Sequence, residues 1–131
     1  MDVYLSEEAL LFLEGQALDS AAGRGGLLLG HKRGPRFFVE KAFPCRSGFF
    51  LSPANFWALD RHFRGKIIGF YAFGPGPKKK SGFFRPFACG KVYLEVRPGQ
   101  KKMRLKPSVI EYKDAFFLQP VALCSASKER I

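Results

Sequence analysis

The side chains able to do chemistry are few and scattered. Two histidines (His31, His62) and three cysteines (Cys45, Cys89, Cys124) are the softer donors among 131 residues. No C-x-x-C pair exists, which argues against a zinc ribbon and a thioredoxin-like redox site. The histidines fall in different predicted elements without ligand spacing, and read as surface or helix residues. No Ser/His/Asp or Cys/His set has a persuasive context for nucleophilic catalysis. Gly23-Arg24-Gly25-Gly26 looks like a phosphate-binding loop only superficially, because it precedes a strand instead of opening a helix. The segment Ile67-Ile68-Gly69-Phe70-Tyr71-Ala72-Phe73-Gly74-Pro75 reads as an apolar strand running into a Gly/Pro turn, where a metalloenzyme would display two ligands. Its display positions hold Ala72 and Gly74, and neither side chain can donate an electron pair.

The elements that must position these residues follow from pattern. Ser6-Glu7-Glu8 is a helix start, with a hydroxyl cap and acids where the helix dipole favours them. Leu10, Leu13 and Ala17 recur at helical spacing, and Gly23, Gly25 and Gly26 end the element. Leu27-Leu28-Leu29 and Phe37-Phe38-Val39 predict two strands of a hairpin over residues 26–43, turning through the polar 31–36 stretch. A second helix is capped by Ser52, begins at Pro53 and stops at Gly65, with Phe56, Leu59 and Phe63 on one face and Trp57 beside them. Residues 67–71 form a strand, and 74–82 form a loop broken by glycines, prolines and three adjacent lysines. Lys91–Val96, Met103–Leu105 and Val109–Tyr112 predict further strands, and Phe116-Phe117-Leu118 begins the last. The pattern predicts a mixed α/β (α+β) single domain: a central, mostly antiparallel sheet flanked by two main helices. The domain spans residues 1–124, followed by a polar tail over 125–131.

Bulk composition narrows the function classes. Half-apolar composition with 15 Phe argues against disorder. No apolar run reaches the ~18–20 residues of a membrane span. The N-terminal Met1-Asp2-Val3-Tyr4 lacks the basic and apolar regions of a signal peptide, so a cytoplasmic protein is expected. Twenty-two Lys/Arg against 11 Asp/Glu give a net charge of +11, which attracts polyanions whatever the fold.

The order of elements, with Gly25-Gly26-Leu27-Leu28-Leu29-Gly30, the Phe37–Glu40 strand, a helix and then Ile67-Ile68-Gly69-Phe70-Tyr71-x-Phe73-x-Pro75, resembles the JAB/MPN domain over roughly residues 3–123. Active members of that family are zinc-dependent isopeptidases or peptidases of the JAMM type. The resemblance implies a Glu shortly before the first Gly-Leu-Leu-Gly strand, then His-x-His-Pro, then Ser-x-x-Asp. Two His and one Asp would hold zinc and leave an open position for water, with the Glu as base. In this chain the Glu position falls at Gly23 or Arg24, the His positions at Ala72 and Gly74, and the Asp position at Phe84. Only Ser81 matches, and its loop spacing is about one residue short. The resemblance therefore implies a catalytically inactive, metal-free domain with no cofactor, acting as an interaction or scaffolding module. Its expected partner is a protein, another MPN-like domain or a second copy.

At the former cleft, Arg24, Lys78, Lys79, Lys80 and Arg85 form a candidate set for binding an acidic group. The adjacent pairs Phe49-Phe50, Phe83-Phe84 and Phe116-Phe117 send one member to each face of a strand, leaving apolar area for a partner wherever a face is uncovered. The alternative function is nucleic-acid or polyanion binding. Lys80-Ser81-Gly82-Phe83-Phe84-Arg85 and Arg33-Gly34-Pro35-Arg36-Phe37-Phe38 interleave base-stacking and phosphate-contacting side chains.

Overall fold

The computed structural model describes residues 1–18, 25–45, 52–74, 82–97 and 103–125. Its elements are β1 (Asp2–Leu5), α1 (Glu7–Ala17), β2 (Gly25–Arg33), β3 (Arg36–Cys45), α2 (Pro53–His62), β4 (Ile67–Phe73), a 3-10 turn (Pro86–Ala88), β5 (Val92–Arg97), β6 (Arg104–Lys113), β7 (Ala115–Pro120) and β8 (Ala122–Ser125). The fold is mixed α+β, with two α-helices and one eight-stranded sheet among the described residues.

Both helices begin and end for local reasons. Ser6 Oγ accepts a 3.0 Å bond from the Ala9 amide and donates at 2.6 Å to the Glu40 carbonyl, which caps α1 and ties it to β3. Ser52 makes no side-chain cap on α2. Its carbonyl instead accepts from the Phe56 amide, with Pro53 in the first turn. Gly65, at φ +74°, stops that helix by returning its amide to the Asp60 carbonyl.

The strand order is β7-β6-β5-β4-β2-β3-β1-β8, with antiparallel pairings at β2–β3, β2–β4, β5–β6 and β6–β7 and parallel ones at β1–β3, β1–β8 and β4–β5. β7 and β8 are therefore opposite edges, yet only Val121 separates them in sequence. In a flat sheet those edges would stand roughly 33 Å apart at the usual strand spacing. One residue reaches at most about 3.6 Å. The sheet must curl until its edges meet, and the Val121 amide does bond the Pro107 carbonyl of β6 at 3.3 Å. The sheet expected as a central layer flanked by two helices is a nearly closed sheet of eight strands.

Alternation along the strands supplies two apolar clusters. One joins Val3, Leu28, Phe37, Val39, Tyr71, Phe73 and Leu94 to Ala9 and Leu13 of α1. The other joins Leu27, Phe70, Ala72, Phe83, Tyr93 and Ile110 to Phe56 of α2. Tyr71 OH donates to Gln16 Oε1 at 2.8 Å, so the buried phenol has a partner on α1.

Several details depart from the sequence reading. β2 continues through His31–Arg33, so the hairpin turn is only Gly34-Pro35. The two strands expected at Met103–Leu105 and Val109–Tyr112 are one strand, β6, which carries Pro107 inside it, paired with Leu94. β1 and β8 had no strand signal of their own, since each is four residues long. Ser125 still pairs with Leu5, and the rest of the expected tail lies outside the described residues.

Candidate functional site

The display strand is where the sequence reading placed it. Ala72 lies on β4 and Gly74 just beyond its end, and the Gly74 amide bonds the Val96 carbonyl at 3.0 Å. Ala72 is only 5% exposed and belongs to the cluster of Phe70, Phe83 and Tyr93. In the parallel ladder its partner is Glu95 on β5, 2% exposed, whose Oε2 accepts from Arg97 Nε at 2.9 Å. A buried carboxylate thus sits beside Ala72 on the neighbouring strand. Tyr93, two residues before it on the same strand, is pushed up to about 12 by burial and by the Glu95 charge.

The other predicted site residues divide. Phe84 stacks on Phe116 of β7, with ring centroids 5.7 Å apart and planes 5° from parallel, so it is occupied by packing. Arg85 is exposed and its carbonyl accepts from the Ala88 amide at the 3-10 turn. Gly23, Arg24, Lys78, Lys79, Lys80 and Ser81 lie outside the described residues, as do Phe49 and Phe50. Phe83 is buried, while Phe116 turns inward and Phe117 outward on β7, as strand alternation requires. The residues present do not fit a zinc ion: Ala72 and Gly74 bring no donor, and no group of three His, Cys, Asp or Glu converges among the described residues.

Sequence reasoning missed Glu95. In a Tyr93-x-Glu95-x-Arg97 alternation the acid reads as solvent-facing. Burial under the second cluster is a tertiary fact with no local signal.

It also missed a second location, at the opposite end of β4. Two register slips lie side by side there. Between β2 and β3 the slip at Leu29/Gly30 leaves Glu40 opposite no residue, and between β2 and β4 the slip at Leu28/Leu29 does the same to Ile68. Bulges re-aim side chains. Here His31 Nδ1 donates to Glu40 Oε1 at 2.8 Å, beside a cleft of about 540 Å³ that Lys32, Lys66 and Lys91 also line.

In the basic and aromatic stretch over residues 33–38 the two rings pack against the protein's own side chains. Phe37 is buried under Lys32. Phe38 stacks between Tyr4 of β1 and His31 of β2, each 5.0 Å away, in a cross-strand ladder of rings. Both faces of Phe38 are taken by the protein itself. His62, on α2, sits edge-on against Phe63.

The chain resembles a bacterial protein in fold. The solution structure of protein DSY2949 from Desulfitobacterium hafniense superposes with a TM-score of 0.65, at 18% identity, covering 94% of this chain and 93% of that one. At that identity the likeness speaks for the fold alone. No family model matches the chain, and no curated protein matches it in sequence.

Proposed function

We propose that this chain is a metal-free JAB/MPN-like domain whose role is to bind a protein partner, either another such domain or a second copy, in the cytoplasm. The observation that carries the proposal is Ala72. At the strand position where the resembled family needs a zinc ligand, a small side chain is packed into the apolar cluster beside Phe83. Filling a ligand position with a packed methyl group suits a scaffold and not a peptidase.

An interaction role is supported by large side chains left in solvent: Trp57 (55% exposed) on α2, and Tyr112 (58%) and Phe117 (40%) near the β7 edge. Free cysteines at 45, 89 and 124 suit a reducing compartment. Among the described residues no helix is long and apolar enough to cross a membrane.

The test combines metal and partner. Elemental analysis of dialysed protein and calorimetric titration with zinc should show no stoichiometric metal. Pull-downs at low and high salt should recover a protein whose binding survives high salt, as an apolar interface does. Stoichiometric zinc would overturn the reading. Salt-sensitive recovery of nucleic acid alone would replace it with the polyanion-binding alternative.

A further inference from the structure

The cleft at the start of β4 is open to solvent and roomy enough for a small molecule. It lies roughly 17 Å along the strand from Ala72, at the rise of an extended chain, and is separate from the family-like strand end. Its volume, about 540 Å³, falls in the range of ordinary ligand pockets. Charge decides what would enter. Lys32, Lys66 and Lys91 line it, against one carboxylate, Glu40, which is already engaged by His31.

Two of these lysines are held in place. Lys91 Nζ donates to the Ile67 carbonyl at 3.1 Å and lies 5.8 Å from the centre of the Phe56 ring. One of its three N–H groups is thereby used and the ammonium is oriented. Burial draws its pKa below the ordinary lysine value, with Asp60 of α2 acting in the opposite direction. Lys32 Nζ stands 5.1 Å over Phe37. A charge positioned before binding loses less freedom when a ligand arrives.

Five of the backbone amides that line the cleft are not open to an anion. The amides of Gly30, Gly65, Lys66, Gly90 and Lys91 are all spent on internal carbonyls. The positively charged groups that face the cleft are the three ammonium groups, with the outer edge of His31 beside them. That is point-charge recognition, which suits a compact anion.

We propose that this cleft binds a small molecule through an anionic group, a phosphate or a carboxylate, held between Lys91, Lys66 and Lys32. The site is independent of the scaffold role above, and either can fail alone.

The experiment is an NMR titration of ¹⁵N-labelled full-length protein, in a constant background of sodium chloride, with three probes: inorganic phosphate, pyrophosphate and succinate. At least one probe should produce saturable shifts at the amides of Gly30–Lys32, Gly65–Ile68 and Gly90–Lys91. Lys91→Met and, separately, Lys66→Met should weaken that binding about tenfold, the loss expected for one charge-assisted contact. Lys113→Met, at the last residue of β6, should leave it unchanged. Binding of the phosphates without succinate assigns the site to phosphorylated ligands, and the reverse assigns it to carboxylates. Lys66 is exposed, so its variant remains informative should Lys91→Met fail to fold. Absence of saturable shifts with all three probes would overturn the proposal. So would shifts mapping only to other lysine-rich segments, or binding that Lys66→Met leaves intact.

Discussion

Ala72 and Glu95 are register partners in the parallel β4–β5 ladder, and both are buried. The pair sets a carboxylate, held by Arg97, opposite a side chain too small to be a metal ligand. The local packing has closed around that small side chain.

Introducing histidines at positions 72 and 74 should therefore not create a metal site. Ala72→His forces an imidazole into a filled cluster and should cost about 1–3 kcal/mol. Adding Gly74→His places a Cβ at φ +89°, a conformation L-residues avoid, and should cost more. Urea denaturation measures the loss, and calorimetry should detect no zinc in the double variant. A double variant as stable as the parent, or one that takes up zinc, would mean the strand end retains a metal-ready geometry.

Two glycines should respond in opposite directions. Gly15 lies in α1 with nothing within 4 Å of an added Cβ. Gly15→Ala should stabilise the fold by about 0.5–1 kcal/mol by raising helix propensity. Gly30 lies where β2 meets β3 most closely, and an added Cβ would collide with the Phe38 carbonyl. Backbone cannot swing aside as a side chain can, so Gly30→Ala should destabilise by about 1–3 kcal/mol. Chemical denaturation of the two variants checks both signs. A stabilised Gly30→Ala would show that the β2–β3 approach is looser than described.

Stability should decline at alkaline pH. Burial pushes Cys45 from 9.0 up to about 11 and, with the Glu95 charge, Tyr93 from 10.0 up to about 12; Tyr71 is raised too. A raised pKa means that the folded state holds the proton longer than the unfolded chain does. These contributions are complete below pH 9 and are lost as pH climbs through 9–11 for Cys45 and 10–12 for Tyr93. Lys91 opposes them, since its folded pKa is lowered and its cost fades as pH approaches 10.5. Tyr4 is raised as well, so four raised groups stand against one lowered and the denaturation midpoint should fall above pH 9. Cys45→Ala should postpone the onset to the tyrosine window near pH 10. A midpoint that stays level from pH 9 to 12 would contradict the burial of these groups.

Much of the architecture was legible locally. Ser6 followed by Glu7 and Glu8 announced α1, Pro53 and Gly65 bracketed α2, and the alternation of Lys91–Val96 announced β5. These signals are short-range: capping, φ preference and period need only neighbouring residues. β1 and the edge strand β8 have no such signal, because each is four residues long and pairs with strands distant in sequence. Pro107 split the reading of β6 because proline usually interrupts a ladder, and here the strand accommodates it.

By itself, the sequence determined that the display strand ends in Ala72 and Gly74 without metal donors, that the chain is strongly basic, and that its helices and most strands lie where they do. Those properties belong to residue identity and near neighbours. Only the tertiary structure decided that the sheet curls to near closure, that Glu95 is buried beside Ala72, and that His31, Glu40 and three lysines border one cleft. Register slips, burial and the convergence of charges depend on which distant strands pair, and that is set by the packing of the whole chain.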